Sequence, residues 1–140
     1  MKQFLAAAVA LLSAGAAFAA DPTVVAIGMS NETNGSQLMT LGGGSVRAGS
    51  VVFKVMNRSA DMVHEFLVVR TDLDPNAFPM LAGEPKVDEA QLKDVTELGD
   101  LTPGKAGEMR MILKPGRYVL FCNQPGHFGA GMFAVLVVTP

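Results

Sequence analysis

The chain has 140 residues, 49% of them hydrophobic, and a formal net charge of −2 at pH 7. Acidic and basic residues are interspersed without a basic run, which argues against nucleic acid as a partner. The single cysteine cannot form an internal disulfide, so it is a buried apolar side chain, a reactive thiol, an intermolecular partner or a metal ligand.

The first twenty residues have the layout of a secretory signal peptide. Lys2 precedes the apolar run "FLAAAVALL", and the small-residue segment "AFA" ends at Ala19, where we expect cleavage. The alternative is an N-terminal membrane anchor, although this run is shorter than the ~20 apolar residues that span a bilayer. We therefore expect a signal peptide at 1–19 and a single domain at 20–140, which is exported to the periplasm without stable membrane insertion.

The rest of the chain is predicted to form short strands separated by turns. Turn segments such as "SNETNGS" and "KPG" alternate with runs rich in β-branched and apolar residues. Strands at roughly ten-residue intervals with almost no helix predict an all-β domain, a β-sandwich or small barrel of about seven to eight strands. The predicted strands are "TVVAIGM" (23–29), "QLMTL" (37–41), "SVVFKVMN" (50–57), "MVHEFLVVR" (62–70), "GEMRMIL" (107–113), "RYVLFC" (117–122) and "GMFAVLVV" (131–138).

A long excursion interrupts the strands between Asp72 and Asp100. Three prolines in "TDLDPNAFPMLAGEP" (71–85) are incompatible with a regular helix or a central strand over most of that segment. The following segment "KVDEAQLKDV" (86–95) is predicted to form the one short helix of the domain. A connection of this length is typical of a functional or covering flap.

The residues with distinctive chemistry are concentrated in "YVLFCNQPGHFGAGMFAVLVV" (118–138). This stretch holds the single cysteine, Cys122, followed at spacings of five and five by His127 and Met132. The second of the two histidines, His64, lies in the apolar segment "MVHEFLVV". A lone histidine there is usually a hydrogen-bonded core residue, but its placement in the same β-fold makes it a candidate fourth ligand. The "PG" dipeptide bends the loop, so the next strand can return Met132 toward Cys122.

A thiolate, two imidazoles and a thioether are donors that suit copper. Monovalent copper favours sulfur and divalent copper favours nitrogen, and two His and one Cys in a plane with a long axial Met form a blue-copper electron-transfer site. Zinc would accept two histidines and a cysteine, but it rarely recruits a thioether. Met132 therefore favours one copper ion, cycling between Cu(I) and Cu(II), over zinc.

The run "PGRYVLFC…PGH…GM" resembles the ligand loop of the cupredoxins, small blue-copper proteins with a Greek-key β-sandwich. The resemblance covers residues 46–140, and "HEF" at 64–66 matches the setting of the upstream histidine in that family. The spacing from the cysteine through the histidine to the methionine is longer than in plastocyanin. Its second gap, from His127 to Met132, is one residue longer than in azurin, and the pattern is most similar to that of rusticyanin and auracyanin. The fold implied is an all-β, cupredoxin-like Greek-key sandwich.

Carried over to this sequence, the resemblance implies a trigonal plane of His64, Cys122 and His127 with an axial contact from Met132. The function implied is that of a periplasmic carrier that transfers single electrons between redox partners and is not an enzyme. The alternative is a periplasmic copper-homeostasis protein that sequesters or delivers the ion. A thiol enzyme is disfavoured, because no oxyanion hole or orienting partner for the Cys-His pair is recognisable.

The resemblance also implies two backbone N–H donors to the cysteine sulfur, from Glu65 and from Gln124. Outer contacts of this kind help to set a reduction potential. Glu65 departs from the family, where the residue after the first histidine is commonly an asparagine that ties the two ligand loops together. Its carboxylate is expected either to bond loop N–H groups or the backbone, or to point to solvent.

The expected partner is a redox protein such as a c-type cytochrome or an oxidase, which docks near His127 on a monomer. Apolar loop residues are predicted to form the docking patch: Phe128, Ala130, Met132 and Phe133. A second, thioether-based Cu(I) site is the less favoured alternative to core packing for the other methionines, Met56, Met62, Met80, Met109 and Met111. The acidic residues between 84 and 100 form a solvated face or steer a basic partner.

Overall fold

The computed structural model describes residues 21–140, and the predicted signal peptide at 1–19 lies outside them. Two single turns of 3-10 helix, Pro75–Ala77 and Glu89–Gln91, are present. No helix in residues 21–140 is long and apolar enough to cross a membrane. The strands of this range are β1 (Thr23–Asn31), β2 (Gln37–Leu41), β3 (Ser45–Arg47), β4 (Gly49–Asn57), β5 (His64–Arg70), β6 (Thr96–Leu101), β7 (Ala106–Leu113), β8 (Gly116–Phe121) and β9 (Phe133–Thr139).

The strands form two sheets that pack face to face as a β-sandwich. The first sheet has the order β2-β1-β4-β7, and the second has the order β3-β9-β8-β5-β6. β1 pairs in parallel with β4, and β3 pairs in parallel with β9, whereas the other neighbouring strands are antiparallel. The predicted all-β sandwich is confirmed, with nine strands in the described residues.

Alternation of apolar and polar residues places the core between the sheets. On β4, Val51, Phe53 and Val55 are buried, while Lys54 among them is exposed. The ring of Phe53 meets the ring of Phe66 on β5, with 5.6 Å between centroids, and so joins the two sheets. Burying one large apolar side chain contributes about 1.5–3 kcal/mol, so this interior provides most of the stabilisation of the sandwich.

Residues 72–95, most of the segment between β5 and β6, cross the outer face of the second sheet and are called the strap below. Phe78 and Val87 of the strap are buried in a second apolar cluster with side chains of β5, β8 and the loop after β8. The ring of Phe78 stacks on that of Phe128 at 5.3 Å between centroids, with 16° between the ring planes. The strap is therefore a packed element that covers one side of the sandwich.

The short helix predicted at 86–95 is reduced to the single 3-10 turn Glu89–Gln91. Val87 makes a β-bridge with Met80 and is buried, which holds the start of the segment in an extended conformation. Asp94 adopts a positive φ of 55°, which is incompatible with a continuing right-handed helix. Tertiary packing overrides the local preference here, because isolated helices of about ten residues are marginal in water.

Two strands were not predicted, and both lie at the edges of the second sheet. β3 has only three residues, and β6 has the sequence "TELGDL", which contains two carboxylates and a glycine. An irregularity in the pairing of β5 with β6 falls beside Gly99, whose φ is 87°. Edge strands often carry charged residues and bulges, so the alternating pattern that reveals central strands is missing from them.

Candidate metal centre

Strand ends at one end of the sandwich bring the predicted ligands together. His64 is the first residue of β5, and Cys122 directly follows β8. Met132 directly precedes β9, and its carbonyl accepts a hydrogen bond from the Cys122 N–H at 3.1 Å. His127 lies between them in the ligand loop (122–132), and its carbonyl accepts from the Met132 N–H at 3.0 Å. These two bonds close the loop on itself.

His64, Cys122 and His127 face one another across a gap of metal-ion size. The Nδ1 atoms of the two histidines are 3.2 Å apart, and Sγ of Cys122 lies 3.4 Å from Nδ1 of His127 and 3.9 Å from Nδ1 of His64. A point equidistant from three atoms with these separations lies inside their triangle, about 2.0 Å from each. Metal bonds to imidazole nitrogen and thiolate sulfur are about 2.0–2.3 Å long. The three donors therefore fit a trigonal metal site.

The protonation states of the three side chains suit metal binding. Burial, and then the charge of His127, lower the pKa of His64 to about 4, and burial lowers the pKa of His127. Both imidazoles are therefore neutral at pH 7, and each has a lone pair to offer. Burial raises the pKa of the Cys122 thiol, so a metal that binds there displaces its proton.

Backbone N–H groups surround the sulfur of Cys122. The Glu65 N–H donates to Sγ at 3.3 Å, and the backbone N–H groups of Glu65 and Gln124 both lower the pKa of the thiol, against the larger effect of burial. These are the two donors that the sequence resemblance implies. Because such bonds favour the thiolate over the thiol, they prepare the sulfur for a cation.

A polar network behind His64 fixes the orientation of its ring. Nε2 of His64 lies 2.5 Å from the hydroxyl oxygen of Ser59. The Ser59 N–H donates to Oδ1 of Asn57, and both residues are buried. The amide nitrogen of Asn57 donates in turn to the carbonyls of Met62 and Leu101, at 2.8 and 2.7 Å. When Nε2 carries the proton and donates it to Ser59, Nδ1 presents a lone pair to the gap.

Met132, the fourth predicted ligand, is fully buried in the core cluster that also contains Cys122. Its backbone bonds to Cys122 and His127 keep it beside the other donors. The structure thus brings all four predicted residues to one end of the sandwich. Axial coordination by the Met132 sulfur stays a prediction.

Among residues 21–140, the Glu65 side chain makes no hydrogen bond to the ligand loop, so it does not supply the link expected of an asparagine at this position. Its carboxyl is half-buried, and burial first, then the charges of Glu89 and Asp100, raise its pKa. The ligand loop is instead linked to β6, the strand next to β5. There Nε2 of Gln124 donates to a carboxylate oxygen of Asp100 at 2.7 Å. A group of carboxylates therefore flanks the site on the side of β6 and the strap.

The predicted docking patch is only partly at the surface. Phe128 and Met132 are buried, Phe133 is half-buried, and Ala130 is exposed. Phe128 packs against the strap, because its ring stacks on Phe78. The accessible surface of the ligand loop therefore consists mainly of small residues.

The five methionines named for a second copper site are spread over four elements of the described residues. Met109 and Met111 face the core from β7. Met62 and Met80 are exposed on different loops, and Met56 is half-buried on β4. Core packing accounts for the first two, and this distribution gives no support to a thioether site.

Comparison with known proteins shows a structural likeness without a sequence match. No family model matches the sequence, and no curated protein matches it. Among solved structures, the chain is similar to dithionite-reduced auracyanin from Roseiflexus castenholzii. That comparison has a TM-score of 0.58 and 22% identity, and it covers 86% of this chain and 99% of the auracyanin.

Two further solved structures are similar to the chain. Auracyanin A from Chloroflexus aurantiacus, described as a "blue" copper protein, has a TM-score of 0.57 and 20% identity over 85% of this chain and 100% of its own. Rusticyanin from Thiobacillus ferrooxidans has a TM-score of 0.56 and 19% identity over 85% of this chain and 79% of its own. Identities this low establish the fold alone. The fold is the cupredoxin sandwich that the ligand-loop resemblance predicts.

Three polar residues at the site were not found from the sequence: Asn57, Ser59 and Asn123. Asn57 and Asn123 each come directly after an apolar run, "VVFKVM" and "YVLFC". Both are buried, and a buried amide needs hydrogen-bond partners. A polar residue directly after an apolar strand was the available signal, but the sequence gives no indication of the partner.

Proposed function

We propose that the protein binds one copper ion at His64, Cys122, His127 and Met132 and carries single electrons between redox partners in the periplasm. The observation that carries the proposal is the triangle of two nitrogens and one sulfur, whose centre lies about 2.0 Å from each atom. Two imidazoles, a thiolate and a nearby thioether are the donors of blue copper. A bound copper ion would supply a one-electron couple.

The scaffold supports this function by holding the donors in place. His64, Cys122 and Met132 are fully buried at strand ends, and the Ser59 hydroxyl contacts the distal nitrogen of His64. Electron transfer is fast when the two oxidation states need little ligand rearrangement, and packed side chains resist rearrangement. Burial of three donors also favours retention of the ion over its delivery to another protein.

We infer that the redox partner docks at His127 and that the protein acts as a monomer. His127 is the one member of the three-donor cluster that is not fully buried. Pro125, Gly129 and Ala130 are exposed around it, and small residues allow a partner to approach closely. The carboxylates beside Glu65 would steer a basic partner such as a c-type cytochrome.

An absorption spectrum of the Cu(II)-loaded protein tests the assignment. A trigonal site with a thiolate ligand is expected to show a strong charge-transfer band near ~600 nm, which is lost in Cys122→Ser. Met80→Leu, which changes an exposed methionine of the strap, is the control that keeps the band. A colourless wild-type protein that retains zinc would overturn the proposal.

Kinetic and genetic measurements separate an electron carrier from a copper-homeostasis protein. Fast electron self-exchange and reduction by a c-type cytochrome would support the carrier. Copper-sensitive growth of a deletion strain that respires normally would support homeostasis. Both experiments begin with a protein that has already been shown to bind copper.

A further inference from the structure

The side chain of Asn123, the residue directly after Cys122, makes three hydrogen bonds to the strap. Its Oδ1 accepts from the Val87 N–H at 2.7 Å, and its Nδ2 donates to the Val87 carbonyl at 3.1 Å. The same Nδ2 donates to Oε1 of Glu89 at 2.6 Å. Asn123 and Val87 are each 1% exposed. The amide therefore completes the backbone hydrogen bonding of a buried strap residue, as a neighbouring strand would.

Other contacts fasten the same stretch of the ligand loop to the strap. The Gly126 N–H donates to the carbonyl of Pro85 at 2.8 Å. Further along the loop, the ring of Phe128 stacks on that of Phe78. Hydrogen bonds and an aromatic pair thus hold the ligand loop against the strap at positions on both sides of His127 in the sequence.

We propose that Asn123 is a positioning residue that sets the separation between Sγ of Cys122 and Nδ1 of His127 by fastening the ligand loop to the strap. The inference rests on the proposed copper site and identifies what holds that site in shape. Loss of the amide leaves the N–H and carbonyl of Val87 unpaired inside an apolar cluster. Buried unpaired groups are unfavourable, so the strap and the loop separate until water reaches these groups.

Hydrogen exchange of the metal-free protein tests the contact without copper. Asn123→Ala is expected to speed exchange at the amides of Val87 and Gly126 by about tenfold or more, while core amides of β4 and β8 keep their rates. Asn76→Ala is the matched control, because Asn76 lies in the same strap, is exposed, and among the described residues bonds through its side chain only to Asp74. Unchanged exchange in Asn123→Ala, or the same change in both variants, overturns the proposal.

Copper binding supplies readouts that a purely stabilising residue would not alter. Asn123→Ala is expected to lower copper affinity roughly 10- to 100-fold and to shift both the reduction potential and the thiolate band. Lower thermal stability with an unchanged potential and spectrum would show that Asn123 stabilises the fold without positioning the ligands.

The contact between Asn123 and Glu89 can also be tested by rescue, in which the hydrogen-bond donor and acceptor are exchanged between the two positions. Asn123→Asp keeps the acceptor for the Val87 N–H but places a second carboxylate against Glu89. Adding Glu89→Gln supplies an amide that can donate to that carboxylate. The double variant is expected to recover about tenfold in copper affinity over Asn123→Asp alone, a coupling within the range of contacting residues. Additive effects of the two changes would contradict a direct contact.

The outcomes separate this inference from the proposed function. If the wild-type protein binds no copper, the function is wrong, and hydrogen exchange still decides whether Asn123 holds the loop. If the wild type is blue and Asn123→Ala matches it in exchange, affinity and potential, the role of Asn123 is wrong and the function stands.

Discussion

At the scale of single residues, the site depends on which ring nitrogen of His64 carries the proton. Ser59 contacts Nε2, and a proton on that nitrogen leaves Nδ1 free to bind a metal. Metal-ligating histidines generally donate their second ring N–H to such a partner, which fixes tautomer and orientation. Ser59 therefore contributes to the site although its side chain is no ligand.

Ser59→Ala is expected to release the His64 ring and to lower copper affinity roughly 10- to 100-fold. The reason is that Nε2–H loses its acceptor, so the ring populates other orientations and tautomers. Nitrogen NMR of the His64 ring in the metal-free protein and a copper titration measure the two effects. Ser59→Thr keeps the hydroxyl and should restore both, whereas a ring signal unaffected by Ser59→Ala would rule out this role.

Met132→Leu is expected to raise the reduction potential while the blue band remains. Leucine has a similar volume and suits a fully buried position, but it has no thioether to stabilise the divalent ion. Voltammetry of the wild type and the variant measures the difference. Met109→Leu on β7 is the matched control in the core, and an unchanged potential in Met132→Leu would show that Met132 is not the axial ligand.

At the scale of elements, most of the stability comes from strands whose side chains alternate between the core and the solvent. Substitutions on β4 test which side chains face the core. Phe53→Ala is expected to lower the free energy of unfolding by about 3–5 kcal/mol, because Phe53 is fully buried against Phe66. Lys54→Ala, one position along, loses only a surface ion pair with Glu108 and should cost less than about 1 kcal/mol. Urea denaturation measures the free energy of unfolding of both variants. Equal losses would contradict the observation that Phe53 faces the core and Lys54 faces the solvent.

The elements divide into those that local patterns predict and those that contacts create. Central strands such as β4 and β8 were predicted, because β-branched and aromatic residues there repeat with the period of a strand. The strap has no such period, since Val87 is held by a side chain of the ligand loop, 36 positions away. Its conformation therefore follows from tertiary contacts that no local pattern contains.

At the scale of the whole molecule, the lowered pKa values of the two histidines make the stability of the metal-free protein depend on pH. The pKa of His64 is about 4 in the folded protein, against ~6.5 in an unfolded chain. Between these values the unfolded state binds more protons, so the free energy of unfolding falls as pH falls through this window. His127, whose pKa is also lowered, acts in the same direction.

The expected loss from His64 alone is up to about 3 kcal/mol between pH 7 and pH 4. Urea denaturation of the metal-free protein at pH 7, 5.5 and 4 measures it. His64→Gln, which has no titrating imidazole, should flatten the profile. An equally steep profile in that variant would mean that other groups cause the dependence.

The sequence by itself determined the fold class, the four ligand candidates and the metal that suits them. Strand periodicity reports which face of a strand is buried, and the donor types of a site restrict the metal that it prefers. Only the tertiary structure decided how far apart the donors lie and what holds them. His64 and His127 meet across 63 positions of sequence, and Asn123 finds its partners on a strap whose only helical elements in residues 72–95 are two 3-10 turns. Such contacts depend on how distant segments pack, which local sequence does not encode.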